Sequence, residues 1–245
     1  MPNREYLDKS TKWKIKNGKI SFDEPAYVDI AEAIIDSGLA TRVGKLLGSG
    51  KEADVYLCVD GNELISVKVY RQYRTSHRDH STIKLDTMSN IAVREFELLN
   101  YAYQGGASVP EPFKRFENMF SMQYLGTEMS PAPSLQRIEL RDPDNFMNLT
   151  LNGIEQLAVA GIIHTDLSPF NILVLDDKPW FIDLADAIRA DRLGIPPWLR
   201  LEEARSALIK GLSSLQKYFD RYRISFDSRG VQNSIIEKID KFGNA

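Results

Sequence analysis

The sequence predicts an α+β fold in two lobes: an antiparallel β-sheet with one helix, followed by a shorter, mainly helical lobe. Three observations carry this. Between residues 42 and 70 the apolar residues come in short strand-length runs, punctuated by glycines and by the turn Asp60-Gly61-Asn62. From about residue 144 onward the spacing becomes helical, interrupted by one short β-pair. The chain has 245 residues, of which 43% are hydrophobic and 27% charged, enough apolar surface for a real core. The expected organisation is an arm and helix over 1–41, a sheet lobe ending in a hinge over 42–125, and a helical lobe over 126–245.

Composition excludes several classes of protein. The formal net charge of −3 argues against a surface coated for nucleic acid, although a local basic patch is compatible with it. The single cysteine, Cys58, permits neither an intramolecular disulfide nor a cysteine-based zinc site. No apolar segment approaches the roughly 18 to 20 residues that cross a bilayer. The charged N-terminus lacks the apolar stretch of a signal peptide, so a cytoplasmic location is expected.

The elements follow in order. Residues 1–25 carry six Lys/Arg against four acidic residues, which reads as a solvated arm or as a contact for RNA or a partner. Residues 27–37 predict an amphipathic helix with Tyr27, Ile30, Ala31, Ile34 and Ile35 on one face, stopped at Gly38. Strands at 46–47, 55–59 and 64–70 form a meander. Residues 71–89 are polar and basic, rich in Ser and Thr, and predict a mobile insertion. A helix over 90–104 and strands at 113–116 and 119–125 complete the first lobe. The second lobe takes a helix from about 144 to 160 that ends at Gly161, with Phe146, Leu149, Ile154 and Leu157 inward. A β-pair at 172–175 and 180–182 follows, then two closing helices at 202–222 and 229–242. There is no internal repeat.

The chemistry begins at Gly48-Ser49-Gly50-Lys51-Glu52-Ala53-Asp54-Val55, between two predicted strands. Glycines let backbone N–H groups approach phosphate oxygens closely. Glu52 after Lys51 rules out a Walker A loop, and the absence of an immediate helix rules out a dinucleotide fingerprint. The segment fits a kinase glycine-rich loop with Ala53 in the third glycine position, although a plain tight turn has the same composition.

Lys68 lies 18 residues after Gly50 on the next strand of the meander, the position of a lysine that reaches ATP phosphates. Strand lysines are also commonly solvent-facing, so it needs an acidic partner. Glu95 on the following helix is the leading candidate; Glu97 points roughly 200° away around that helix.

The most specific segment is Ile163-His164-Thr165-Asp166-Leu167-Ser168-Pro169-Phe170-Asn171. An aspartate five residues before an asparagine, on a loop between a helix and a β-pair, divides two tasks. Asp166 can orient an attacking hydroxyl or water, and Asn171 can offer a neutral oxygen to a hard divalent cation. Twelve residues on, Asp183 brings a second metal-binding oxygen group. His164 is expected to hold the loop by hydrogen bonds. His77 and His80 have no third ligand nearby, so no metal site is expected there.

At these residues the sequence resembles the RIO family of atypical protein kinases. Gly-Lys-Glu-Ala at 50–53, His-x-Asp-Leu-Ser-x-Phe-Asn at 164–171 and Ile-Asp at 182–183 are similar to that family's signatures, over about residues 40–220. Ser168 stands where ordinary protein kinases place lysine. The absence of a winged-helix segment suggests the branch without one. The resemblance implies a two-lobed protein-kinase-like fold, ATP with Mg²⁺ or Mn²⁺, serine autophosphorylation and a role in small ribosomal subunit maturation. It also implies that Ser49 and Lys51 line the phosphates, that Met122, Gln123, Tyr124 and Leu125 face adenine, and that Asp183 is a transient phospho-acceptor.

The sequence also departs from those patterns. Thr165 replaces the arginine that reads a phosphorylated activation loop, and Asp183-Leu184-Ala185 lacks the usual Phe-Gly. Pro169 stands where RIO proteins commonly have an acidic residue. With 62 residues after Asp183, docking of an extended peptide looks poorly provided for.

Three readings remain open on the sequence: a RIO-type serine kinase or ATPase acting on itself or in a pre-ribosomal particle; a small-molecule phosphotransferase; and an ATP-gated RNA-binding assembly factor. The basic segments at 4–19 and 71–84 motivate the RNA partner. Autophosphorylation is expected within 76–89, at Ser76, Ser81, Thr82 or Ser89.

Overall fold

The computed structural model describes residues 30–50, 52–71, 85–190 and 197–243, with Trp13, Asn17 and the short stretches 20–21 and 76–77. Most of the basic arm, Lys51, Tyr27 and most of the insertion, including Ser81 and Thr82, lie outside the described residues. The chain divides into two compact units. One holds the described residues up to Phe96 together with 112–124; the other holds 97–111 and the residues from Leu125 onward.

In the first unit, the expected helix start at Tyr27 lies outside the described residues, and helix α1 covers Ile30–Asp36. It ends in a Schellman motif. Gly38, at φ +70°, donates to the Ile35 carbonyl at 2.9 Å, and Leu39 donates to the Ile34 carbonyl at 3.3 Å. Leu39 and Ile34 are both fully buried, which supplies the hydrophobic contact of that cap. Ile35 was expected inward and is exposed: Ile30, Ala33 and Ile34 form the packed stripe, and Ile35 falls one step beyond its edge.

Strands β1 (Arg42–Ser49), β2 (Ala53–Asp60), β3 (Glu63–Tyr70), β4 (Pro112–Phe116) and β5 (Met119–Gln123) form one antiparallel sheet in the order β1-β2-β3-β5-β4. β3 is central, with β2 on one side and β5 on the other. Period-two alternation gives its faces separate tasks. Ile65, Val67 and Val69 join Tyr56, Cys58 and Met119 in the apolar core under α1. Lys68 lies on the other face, directly opposite Val55 of β2 and Phe120 of β5. Phe120 packs there against Phe96, with ring centroids 5.8 Å apart.

Helix α2 (Leu85–Gln104) starts five residues earlier than expected, so 85–89 is helix rather than insertion. The polar residues Asp86, Thr87 and Ser89 disguise this start, but Met88 and Ala92 are buried and continue the stripe. The division between units falls within α2.

The second unit is built on α3 (Pro143–Val159), capped by the Asp142 side chain, which accepts from the Asn145 N–H at 3.1 Å. Met147 and Thr150 are buried with Phe146, Ile154 and Leu157, whereas Leu149 is only half-buried. A short strand β6 (Ile162–Ile163) leads into the loop at 164–171. Strands β7 (Ile172–Leu175) and β8 (Lys178–Phe181) form a hairpin whose two-residue turn, Asp176-Asp177, has both φ values near +54°, at 53° and 55°. Strand β9 (Ile188–Arg189) returns to pair with β6. Helices α4 (Pro197–Phe219) and α5 (Ser228–Gly243) close the unit. Among the described residues no helix is long and apolar enough to cross a membrane.

Candidate active site

The first unit holds a buried ion pair on the Lys68 face of the sheet. Lys68 Nζ donates to Glu95 Oε1 at 2.7 Å, and the two side chains are 10% and 4% exposed. Glu95 takes this place because it continues the buried stripe of α2, at the spacing Met88, Ala92, Glu95, Leu99. Glu97 is exposed on another face of the helix. A second partner, absent from the sequence reading, is Tyr70. Two residues beyond Lys68 on the same face, it donates its phenol to Glu95 Oε2.

The glycine-rich segment is the turn between β1 and β2. Ser49 pairs in register with Asp54, and Gly50 N–H donates to the Ala53 carbonyl at 2.9 Å. Gly48, Ser49 and Gly50 are exposed, while Val55 is half-buried opposite Lys68. Beneath the turn lies a second buried ion pair that sequence reasoning missed. Arg71, just past the end of β3, grips both carboxylate oxygens of Asp54 and also donates to Ser49 Oγ at 2.7 Å. Its own N–H donates to the Glu52 carbonyl. The turn is therefore fastened to β3 at Ser49, Glu52 and Asp54. The sequence places Arg71 at the start of the polar insertion, because a charged residue next to a strand end gives no sequence signal that it is buried.

Of the expected adenine-facing residues, Met122 and Gln123 lie in β5 opposite Ser66 and Ile65 and are half-buried. Tyr124 is buried, and that burial pushes its phenol above the ordinary range. Leu125 is buried and accepts from the Ala132 N–H at 2.9 Å.

The second unit holds the loop at 164–171. His164 is buried, and its Nε2 lies 3.0 Å from the Ile182 carbonyl. Burial pushes the imidazole below its ordinary value of 6.5, against the opposing pull of that carbonyl and of Asp183 and Asp166. The ring is therefore neutral at pH 7 and acts as a peg between the loop and the residue before Asp183. Leu167 is a second peg. It is buried against Gly211 of α4, where an added Cβ would sit 2.7 Å from the Leu167 Cβ. Thr165 is a third, its hydroxyl donating to the Asp186 carbonyl at 3.0 Å. The residue in place of the phosphate-reading arginine thus ties the segment after Asp183 directly.

Asn171 donates its amide to the Asp166 carbonyl at 2.8 Å and to Asp166 Oδ2 at 2.9 Å. Both partners are acceptors, so they engage the –NH₂ end and fix the orientation of the amide. Its Oδ1 is then the atom directed away from Asp166, a neutral oxygen suited to a hard cation. The Ile182 N–H donates to the Asn171 carbonyl at 3.0 Å, which fixes the approach to Asp183. Asp183 is exposed and sits at φ +65°, a left-handed conformation rarely adopted by non-glycine residues. Among the described residues no group of three or more His, Cys, Asp or Glu side chains could hold a metal by itself. One carboxylate and one amide oxygen fit Mg²⁺ completed by substrate phosphates, the usual form of such sites.

The model of the RIO domain matches residues 59–231. The chain belongs to the RIO family. Lys68, Glu95, Asp166, Asn171 and Asp183 lie inside the matched residues, and the glycine-rich turn lies just before them. The RIO-type serine/threonine-protein kinase Rio1 of Thermoplasma acidophilum is 25% identical over 197 residues, covering 75% of this chain and 100% of that protein. Rio1 of Methanocaldococcus jannaschii is 25% identical over 251 residues, covering 96% and 83%. Rio2 of the same archaeon is 29% identical over 228 residues, covering 85% and 79%. Among solved structures, the Rio2 kinase of Chaetomium thermophilum superposes with a TM-score of 0.66 at 20% identity, covering 97% of this chain and 82% of that one. Its ADP/Mg²⁺-phosphoaspartate complex gives 0.63 at 19% identity, covering 97% and 80%. That likeness shows a RIO, protein-kinase-like fold.

Proposed function

We propose that this chain is a RIO-type serine/threonine kinase with ATPase activity, using ATP and Mg²⁺ or Mn²⁺. The observation that carries the reading is the Asp166–Asn171 arrangement: one amide positions the catalytic carboxylate and presents its oxygen to a cation, while the Asn171 carbonyl accepts from the N–H of Ile182, the residue before Asp183.

Each side chain then has a task. Lys68, held by Glu95, neutralises phosphate charge, and the Gly48-Ser49-Gly50 turn with Lys51 supplies N–H groups to the phosphates. Met122 to Leu125 line the adenine. Asp166 orients the attacking hydroxyl or water and accepts its proton. Asn171 and Asp183 hold the divalent ion, which when bound neutralises charge on the transferring phosphoryl group. Asp183 is also the phospho-acceptor in the hydrolytic branch. Its carboxylate oxygen attacks the γ-phosphorus, ADP departs, and water releases phosphate from the acyl phosphate. The named Rio2 phosphoaspartate complex motivates this branch.

Within that reading the chain autophosphorylates within 76–89, at Ser76, Ser81, Thr82 or Ser89, works in the cytoplasm and acts on a small-subunit pre-ribosomal particle, with the basic segment 4–19 and the insertion after Arg71 facing RNA, Arg71 itself being buried on Asp54. Incubation with γ-labelled ATP and Mg²⁺, with free phosphate and phosphoprotein quantified separately, tests the activity. Label in both fractions is expected. Absence of label from both, in folded protein with metal present, contradicts it. Filter binding to small-subunit RNA across a salt series tests the partner; binding that does not weaken with salt counts against phosphate contacts.

A further inference from the structure

Tyr70 is one of the largest fully buried side chains of the first unit, and its hydroxyl donates to a carboxylate. Strand alternation places it on the face of Lys68, two residues away, with Lys68 Nζ 5.3 Å from the centre of its ring. Glu95 arrives from α2 and divides its carboxylate: Oε1 accepts from Lys68 and Oε2 from Tyr70. The two donors differ in stiffness. Lys68 ends a flexible four-carbon stem, whereas a tyrosine ring is fixed by two torsions. The Tyr70 backbone is fixed as well. Its N–H donates to the Asn118 carbonyl at 2.9 Å, and the buried Asn118 amide donates back to the Tyr70 carbonyl.

We propose that Tyr70 is a positioning residue for the Lys68–Glu95 pair, its phenol holding Glu95, and with it this part of α2, in the paired arrangement before nucleotide arrives. The proposal rests on the reading that Lys68 contacts the phosphates of ATP. When those phosphates draw on the ammonium group, Glu95 keeps a rigid partner in Tyr70. The glutamate-bearing helix is thus preset by the sheet, and its position does not wait for ligand.

The test uses full-length protein and Mg·ADP, measured by titration calorimetry on Tyr70→Phe, Glu95→Ala, the double variant and Lys68→Met. Tyr70→Phe removes one oxygen and keeps the ring. Its affinity for Mg·ADP is expected to fall about 5- to 10-fold, as for loss of one ordinary intramolecular hydrogen bond. In the Glu95→Ala background the same substitution is expected to change affinity by less than about 2-fold, because its route to the nucleotide is gone. Equal losses in both backgrounds would mean a general packing role and would overturn the proposal. Lys68→Met binding Mg·ADP like the parent would overturn the nucleotide reading itself. Lys68→Met weakened beside Tyr70→Phe at parental affinity would overturn the Tyr70 proposal alone. Hydrogen exchange needs no variant: on Mg·ADP binding amides 88–96 are expected to gain no more protection than the core amides of β3, and a larger gain confined to 88–96 would contradict a preset helix.

Discussion

The two units hold their chemical groups by opposite means. In the first, the charged side chains are buried and fixed by one another: Lys68 with Glu95 and Tyr70, Arg71 with Asp54 and Ser49. In the second, Asp166 and Asp183 are exposed; His164 and Thr165 fix the loop beneath them through backbone carbonyls, Leu167 by packing against Gly211, and Asn171 through the Asp166 carbonyl and one carboxylate oxygen. The contrast follows from the tasks. On the proposed roles, a lysine that neutralises phosphate must be kept extended in one direction, and an apolar sheet face with an acidic partner achieves that. A carboxylate that exchanges a proton or a metal must remain reachable, so rigidity has to come from the chain behind it.

This contrast can be broken by measurement. The largest expected effect is on turnover: Asp166→Asn should lower ATP turnover by about 100-fold or more while leaving the melting temperature within a degree or two. A large drop in melting temperature would mean that the carboxylate is structural. Next, Asp54→Ala leaves the Arg71 guanidinium buried without its acid and should cost about 3–5 kcal/mol of stability in chemical denaturation. A loss near zero would remove the claim that the glycine-rich turn is braced from below. Gly211→Ala pushes a methyl group into Leu167 and should reduce turnover several-fold, with a stability loss of about 1–3 kcal/mol. Unchanged turnover would show that the loop does not depend on its packing against α4. Thr165→Val removes one hydroxyl and should cost about 1 kcal/mol in denaturant unfolding; no change there would mean that the segment after Asp183 is held without it. The smallest effect concerns Cys58. Burial pushes its thiol up to about 11, so in the native sheet it should resist a thiol reagent at pH 8 and react only on unfolding. Rapid labelling of native protein would mean that the core under α1 opens readily.

How much of this was legible in the sequence depends on the kind of signal. Lys68 and Glu95 could be paired because each sits in a clear period, two for β3 and 3.6 for α2. The pairing of Asp166 with Asn171 could be read because a five-residue spacing on one loop brings the two side chains within hydrogen-bond reach. The Arg71–Asp54 brace was not legible: alternation says which face a residue takes, not whether a charge there finds an ion partner and is buried. The start of α2 was hidden for a similar reason, since three polar residues around Met88 mask an otherwise regular stripe. Aspartate enters the left-handed region more readily than most residues, but its presence at 183 does not by itself show that the backbone there takes φ +65°.

The most direct test of the central claim, that Asn171 and Asp183 assemble a metal-dependent phosphoryl-transfer site, is single-turnover assay of Asp183→Asn with γ-labelled ATP across a Mg²⁺ series. The account predicts a folded protein that releases neither labelled phosphate nor labelled phosphoprotein at any Mg²⁺ concentration. Parental turnover in that variant, with the same dependence on Mg²⁺, would contradict it.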